Sequence, residues 1–140
     1  MLDAYAVLAY LRAEPCAADV ATLLRSPSVL TAANAAEVFD QLVRVYEREP
    51  DDVHADIALL ATAGMELVPV TAYQGLAAAR LRARHYDRKR RAVSLADCIT
   101  AATALNRNAA LATSDPALAA VVRAEGGQVH PLADSAGVKP

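Results

Sequence analysis

Short apolar runs bounded by turn residues alternate with longer segments of helical periodicity. That alternation limits the fold of this chain more than any other feature. The apolar runs are Met1–Leu2, Ser28–Thr31, Met65–Val70, Ala109–Thr113 and Gln128–Leu132. The intervening segments read as helices over Ala4–Arg12, Cys16–Arg25, Ala32–Glu49, Val53–Ala63, Thr71–His85 and Ser94–Asn106. A last helix opens at Asp115-Pro116 and stops at Gly126-Gly127. Ala4, Val7, Leu8 and Leu11 share one face of the first helix, and Val38, Leu42 and Val45 recur at the spacing of a buried stripe. Pro50-Asp51-Asp52 reads as a break and Gly64 as a helix stop. Strands that alternate with helices predict an α/β domain, a three-layer α/β/α arrangement in which helices surround a short, mainly parallel central sheet.

Parallel sheets bind ligands beyond the carboxyl ends of their strands, so the acids at those ends matter. Asp3 follows the first run, and Glu37 lies near the start of the helix after the second. Asp97 lies in the first turn of the Ser94 helix, and Asp115 lies just past the strand ending at Thr113. Each has an ordinary structural use. Asp3 and Asp115 suit helix N-caps, Pro116 suits the first helical position, and Ser94 to Asp97 resembles a capping box. Glu37 suits a solvated helix start. Taken together, four carboxylates at one sheet edge repel one another unless a cation lies between them. Hard divalent ions such as Mg²⁺ and Mn²⁺ prefer oxygen donors of this kind.

The same residues carry a family resemblance. Leu2-Asp3-Ala4 running into a helix resembles the opening of a PIN domain, although just two residues precede Asp3 here. Thr31 to Val38, with its helical Glu37, is similar to the family's second motif. Ser94-Leu95-Ala96-Asp97-Cys98 followed by Ala101-Ala102 resembles the third, and Leu111-Ala112-Thr113-Ser114-Asp115 the fourth. The ordered set spans almost the whole chain, and its size resembles that of the VapC toxins. The resemblance implies an endoribonuclease with Asp3, Glu37, Asp97 and Asp115 around Mg²⁺ or Mn²⁺. Thr113 would be a polar helper, and Asn34 would line the same pocket or serve as an ordinary helix-start residue. It further implies a water activated by the metal, products with 5′-phosphate and 3′-hydroxyl ends, a homodimer and a small VapB-like antitoxin partner. No histidine is needed, and His54, His85 and His130 lie outside all four motifs.

Composition sets the outer limits. A chain of 140 residues, 55% hydrophobic and 21% charged, is expected to fold as one domain over residues 1–132 with a flexible tail over 133–140. The net charge of -2 does not announce a nucleic-acid binder, but seven of the 14 basic residues fall in one stripe: Arg80, Arg82, Arg84, Arg88, Lys89, Arg90 and Arg91. That stripe suits RNA phosphates, an acidic antitoxin segment or a solvated face. Tyr5, Tyr10 and Tyr86 suit base stacking or burial. Apolar faces around residues 4–24 and 53–63 suit core or interface. Cys16 and Cys98 match no metal spacing and read as reduced thiols. No secretory or membrane-spanning pattern is present, which makes the cytoplasm the expected location.

Three rival readings compete. A phospho-acceptor receiver needs paired acids after the first strand and a well-placed Lys. This chain has Asp3 alone there, and its lysines are Lys89 and Lys139. A PIN fold that no longer cleaves and a PIN nuclease outside toxin–antitoxin systems stay open.

Overall fold

The computed structural model describes all residues from Met1 to Pro140. Seven helices and four short strands follow in the order α1 (Ala4–Leu11), α2 (Ala17–Leu24), β1 (Ser28–Thr31), α3 (Ala32–Asp40), α4 (Pro50–Thr62), β2 (Met65–Val68), α5 (Ala72–His85), α6 (Leu95–Asn106), β3 (Leu111–Thr113), α7 (Pro116–Ala124) and β4 (Val129–Pro131). All strand pairing is parallel. β1 pairs with β2 from Ser28 opposite Met65 to Thr31 opposite Val68. β3 pairs with β4 from Leu111 opposite Val129 to Thr113 opposite Pro131.

These two halves are joined by the N-terminal residues. Leu2 N–H donates to Val29 C=O at 2.8 Å on the β1 side. On the other side Leu2 bridges Ala112 in parallel, Ala112 N–H donates to Met1 C=O at 2.9 Å, and Asp3 N–H donates to Ala112 C=O at 3.2 Å. The lateral order is therefore β2, β1, Met1–Asp3, β3, β4. It reverses direction at the N-terminal segment, which is the switch point of the sheet.

Side chains alternate across the strands and feed two cores. Leu2, Leu30, Met65 and Ala112 join Val7, Val20, Val38, Leu42 and Val53 in a core among α1 to α4. Leu111 joins Ala78, Leu81, Val93, Cys98, Leu118 and Val122 in a second core among α5 to α7. The three-layer α/β/α arrangement expected from the alternation of elements is what the chain forms. Both cysteines are buried and unpaired, as read from their spacing.

Three boundaries differ from the sequence expectation. The helix from Ala32 does not run on to Glu49. It widens after Asp40 into a π-type turn over Gln41–Val45, closed by Tyr46 N–H donating to Gln41 C=O at 3.2 Å, and Glu47 then takes a left-handed φ of 52°. The widened turn rotates Val45 off the buried stripe, so Val38 and Leu42 are buried and Val45 is exposed. Pro50 does not break the chain but opens α4. It occupies the first helical turn, where no N–H is needed, and Asp51 and Asp52 favour the same helix end. β2 ends at Val68 because Pro69 has no N–H to continue the ladder.

The chain after Leu132 turns back on itself. Asp134 accepts hydrogen bonds from the N–H groups of Ala136 and Val138 at 2.9 and 2.8 Å, and Lys139 lies 3.6 Å from Asp19.

Leu2 is 1% exposed and is the one side chain of the central segment inside the first core. Truncation in Leu2→Ala is expected to cost about 2–5 kcal/mol of stability. Urea denaturation checks this, with a lowered midpoint at unchanged slope as the expected result.

Candidate active site

The acids lie where the sheet changes direction, and local folding rules put them there. Asp3 ends the central segment and caps α1, its Oδ1 accepting from Ala6 N–H at 2.7 Å. Thr31 ends β1 and caps α3 through its side chain, which accepts from Asn34 N–H at 3.1 Å. Glu37 lies one turn further on and is half-buried, and Asn34 is buried. Ser94 and Asp97 form a reciprocal capping box on α6. Asp97 Oδ2 accepts from Ser94 N–H at 2.7 Å, and Ser94 Oγ accepts from Asp97 N–H at 3.0 Å. Asp115 caps α7, accepting from Ala117 and Leu118 N–H at 2.7 and 3.3 Å.

The capping uses anticipated for Asp3, Asp97 and Asp115 are therefore real, and each spends one carboxylate oxygen on them. A carboxylate has two. None of the three takes a further protein hydrogen bond on its second oxygen, and the Thr113 side chain lies near enough to Asp3 to favour its charged form. Thr113 is fully buried, and its Oγ1 accepts from Asp115 N–H at 3.0 Å. It thus stands between Asp3 and the Asp115 turn.

Electrostatics show which acids the fold brings together. Asp3 is 5% exposed. Burial pushes its carboxyl up to about 7, the Thr113 side chain and the hydrogen bond from Ala6 oppose the rise, and the charges of Asp97 and Asp115 add to it. Burial also raises Glu37, with further repulsion from Asp97 and Asp40. Asp3 thus lies within reach of the charges of Asp97 and Asp115, and Glu37 within reach of that of Asp97. They are not drawn tight: no three His, Cys, Asp or Glu side chains approach closely enough to form a ready-made metal site. None of the five principal clefts is lined by any of the four acids. The donor chemistry still fits a divalent cation. The set is all oxygen, and its innermost member sits among like charges where it needs either a proton or a cation.

The basic stripe divides into two groups. Arg84 pairs with Glu125 at 2.7 Å, and His85 Nε2 meets the same carboxylate at 2.5 Å. Arg91 donates to His85 Nδ1 at 3.0 Å, and Arg82 donates to Val93 C=O at 3.3 Å. These three arginines hold the end of α5 to the following loop and to α7. Arg80, Arg88, Lys89 and Arg90 are exposed and make no ion pair. Asp87 accepts from the backbone N–H groups of Lys89 and Arg90 at 2.8 and 2.9 Å, which fixes the turn that carries them. The partnership of His85 with Glu125, forty residues away, has no signal in the sequence. The Arg82–Tyr86 stack, 4.4 Å from guanidinium carbon to ring centroid, is foreshadowed by their i, i+4 spacing.

Comparison with known proteins gives the family and the fold. The PIN domain family profile matches residues 1–124, and the chain belongs to that family. PIN domains are generally nucleases that use divalent metal ions. One similar solved structure, "Structure of FitAB bound to IR36 DNA fragment", superposes with a TM-score of 0.68 at 20% identity, covering 92% of each chain, and so shares the fold. A search of curated protein sequences finds no significant match. No helix is long and apolar enough to cross a membrane.

Asp3 yields a pH prediction for the protein in EDTA. Its carboxyl binds a proton more tightly in the folded state, about 7 against 3.8 unfolded. The folded state then holds more protons between those values, so stability falls as pH rises from about 4 to about 7 and levels off above. The loss from this group is roughly 2–4 kcal/mol. Asp3→Asn keeps a capping oxygen and removes the charge. Its stability at pH 7.5 should exceed that of the wild type, and the difference should vanish near pH 4. Equal pH profiles for the two proteins would show that Asp3 is not strained.

Proposed function

We propose that this chain is a metal-dependent endoribonuclease, the toxin component of a VapBC-like type II toxin–antitoxin pair. The observation that carries the reading is the electrostatic coupling of Asp3 to Asp97 and Asp115 at the sheet's switch point, in a chain of the PIN family. Asp3, Glu37, Asp97 and Asp115 would hold Mg²⁺ or Mn²⁺. When bound, the ion supplies Lewis acidity to water and to the phosphodiester.

The protein's own groups prepare the site. Backbone N–H groups fix one oxygen each of Asp3, Asp97 and Asp115. Because each of these carboxylates is pinned to a helix end by one oxygen, the acids are oriented before any ligand arrives, and a cation would draw them together. Thr113 stands between Asp3 and the Asp115 turn and favours the charged form of Asp3. Arg80, Arg88, Lys89 and Arg90 are free to meet RNA phosphates, whereas Arg82, Arg84 and Arg91 do so at the expense of contacts within the fold. The same free cations suit an acidic segment of a VapB-like antitoxin, which would quench the site by covering it. FitAB in its DNA complex offers a precedent for a DNA-bound assembly. Exposed Leu59 on α4 and Tyr10 on α1 suit contacts in a homodimer or with the antitoxin. With RNA as substrate, the cytoplasm would be the site of the reaction.

One observation favours a PIN module that binds without cleaving: the acids stand too far apart to chelate as they are. Cleavage of end-labelled total RNA by the purified chain, with Mg²⁺, Mn²⁺ or EDTA, separates the readings. Asp97→Asn retains an oxygen for Ser94 N–H, so α6 should stay capped. Discrete metal-dependent cleavage that falls at least about 10²-fold in this variant is the expected result. Cleavage indifferent to EDTA and to the substitution would remove the acidic site from the mechanism. A folded protein that cleaves under no condition would leave the binding module.

A further inference from the structure

A cleft between the end of α5 and the start of α6 is lined by Ala79, Arg82, Ala83, Tyr86 and Leu95 and encloses about 320 Å³. Its walls are unusual for a solvated surface. Tyr86 is 44% exposed and Leu95 53%, so a large aromatic and a large aliphatic side chain stand open side by side. Arg82 lies over the Tyr86 ring, and its Nε is anchored to Val93 C=O, which holds the guanidinium plane in place. The Tyr86 backbone is held by its N–H donating to Arg82 C=O at 2.8 Å.

The surroundings add charge. The turn following Tyr86 presents Arg88, Lys89 and Arg90, all exposed and free of ion pairs. Leu95 is the first residue of α6 and stands two residues before Asp97. A flat π surface, an immobilised guanidinium, an aliphatic floor and free cations within one loop match a single ligand chemistry: an unpaired nucleobase with its flanking phosphates. An acidic peptide would satisfy the cations but would have no use for the exposed aromatic plane.

Resting on the ribonuclease reading, we propose that the Arg82–Tyr86–Leu95 cleft is a base-stacking subsite that seats one unpaired nucleobase of single-stranded RNA. The Arg88–Arg90 turn grips the adjoining phosphates and so directs the strand toward Asp97. Duplex RNA keeps its bases stacked internally and cannot use the cleft. The subsite selects single strands and reads base identity weakly, since every base has a π face.

The chain contains no tryptophan, so Tyr86→Trp installs a unique fluorophore at the cleft. The probe is a fluorescein-free single-stranded 12-mer RNA in EDTA, titrated against the full chain; affinities of all variants come from filter binding of the same RNA radiolabelled. The expected result is quenching of the Tyr86→Trp signal by this RNA, with little quenching by an abasic strand of equal length. Tyr86→Ala should weaken binding about 10-fold without altering its salt dependence, and Tyr86→Phe should restore it. Arg88→Ala combined with Arg90→Ala should lower the salt slope by about 1.4. If Tyr86→Ala binds like the wild type and the Tyr86→Trp signal is unmoved while wild-type protein cleaves RNA with metal, the subsite is wrong and the nuclease reading stands. A signal unmoved by RNA that shifts on complex formation with a co-expressed protein partner would give the cleft to protein and overturn the proposal. Wild-type protein that neither binds nor cleaves RNA overturns both readings.

Discussion

Everything in this fold hangs on the docking of three residues at the chain's N-terminus. Met1 to Asp3 separates β1 from β3 and hydrogen-bonds to both. Without it the chain holds two two-stranded ribbons, each too small to stand alone. With it, two hydrophobic cores are tied to one sheet, because Leu2 enters one core while the neighbouring strand residue Leu111 enters the other. So short a central segment gains little from its own backbone pairing. Burial of Leu2 and the capping of α1 by Asp3 must supply the rest, so the same three residues serve the sheet, the core and the acid cluster.

That economy has an electrostatic consequence. Asp3 is held in place by fold-determining bonds, and its carboxyl is buried next to two further acids. A site selected for stability alone would place an asparagine there, which caps a helix as well and carries no charge. Retaining the acid costs the metal-free protein stability, a pattern expected where function requires charge that folding disfavours. The capping bonds also explain how the acids can be fixed without being drawn together. Each is anchored by one oxygen to a different helix end. The final closing of the distance between them would have to come from the attraction of a cation.

Much of this was legible in the residues. The order and type of the elements follow from apolar periodicity, and the acids announce themselves at strand and helix ends because the same positions serve as caps. Other features were hidden for identifiable reasons. Val38, Leu42 and Val45 keep α-helical spacing, and nothing in that spacing shows that the backbone widens at Gln41 and turns Val45 outward. Pro50 carries the same local meaning as a breaker and as a first helical residue. The preceding chain decides between them, and here the left-handed Glu47 ends one helix soon enough for Pro50 to start the next. The basic stripe was visible as charge, but its division was not. Glu125, which claims Arg84 and His85, lies at the far end of α7 and is brought near only by the packing of α6 against both α5 and α7.

The division of the stripe also bears on how a strand would approach the acids. Cations committed to Glu125, His85 and Val93 make the end of α5 and the following loop a stiff unit, while the free cations ride on a turn that Asp87 pre-shapes. Stiffness matters because phosphate contacts alone position a strand loosely. A surface that tolerates many sequences would still have to set the register between a bound strand and the acidic cluster. In this chain the link is short and covalent: the loop that carries the free cations runs through Val93 and Ser94 directly into the capping box of Asp97. Displacement of the loop would therefore be felt at Asp97, the acid whose charge reaches both Asp3 and Glu37, and grip on a strand would be coupled to the geometry of the acidic cluster.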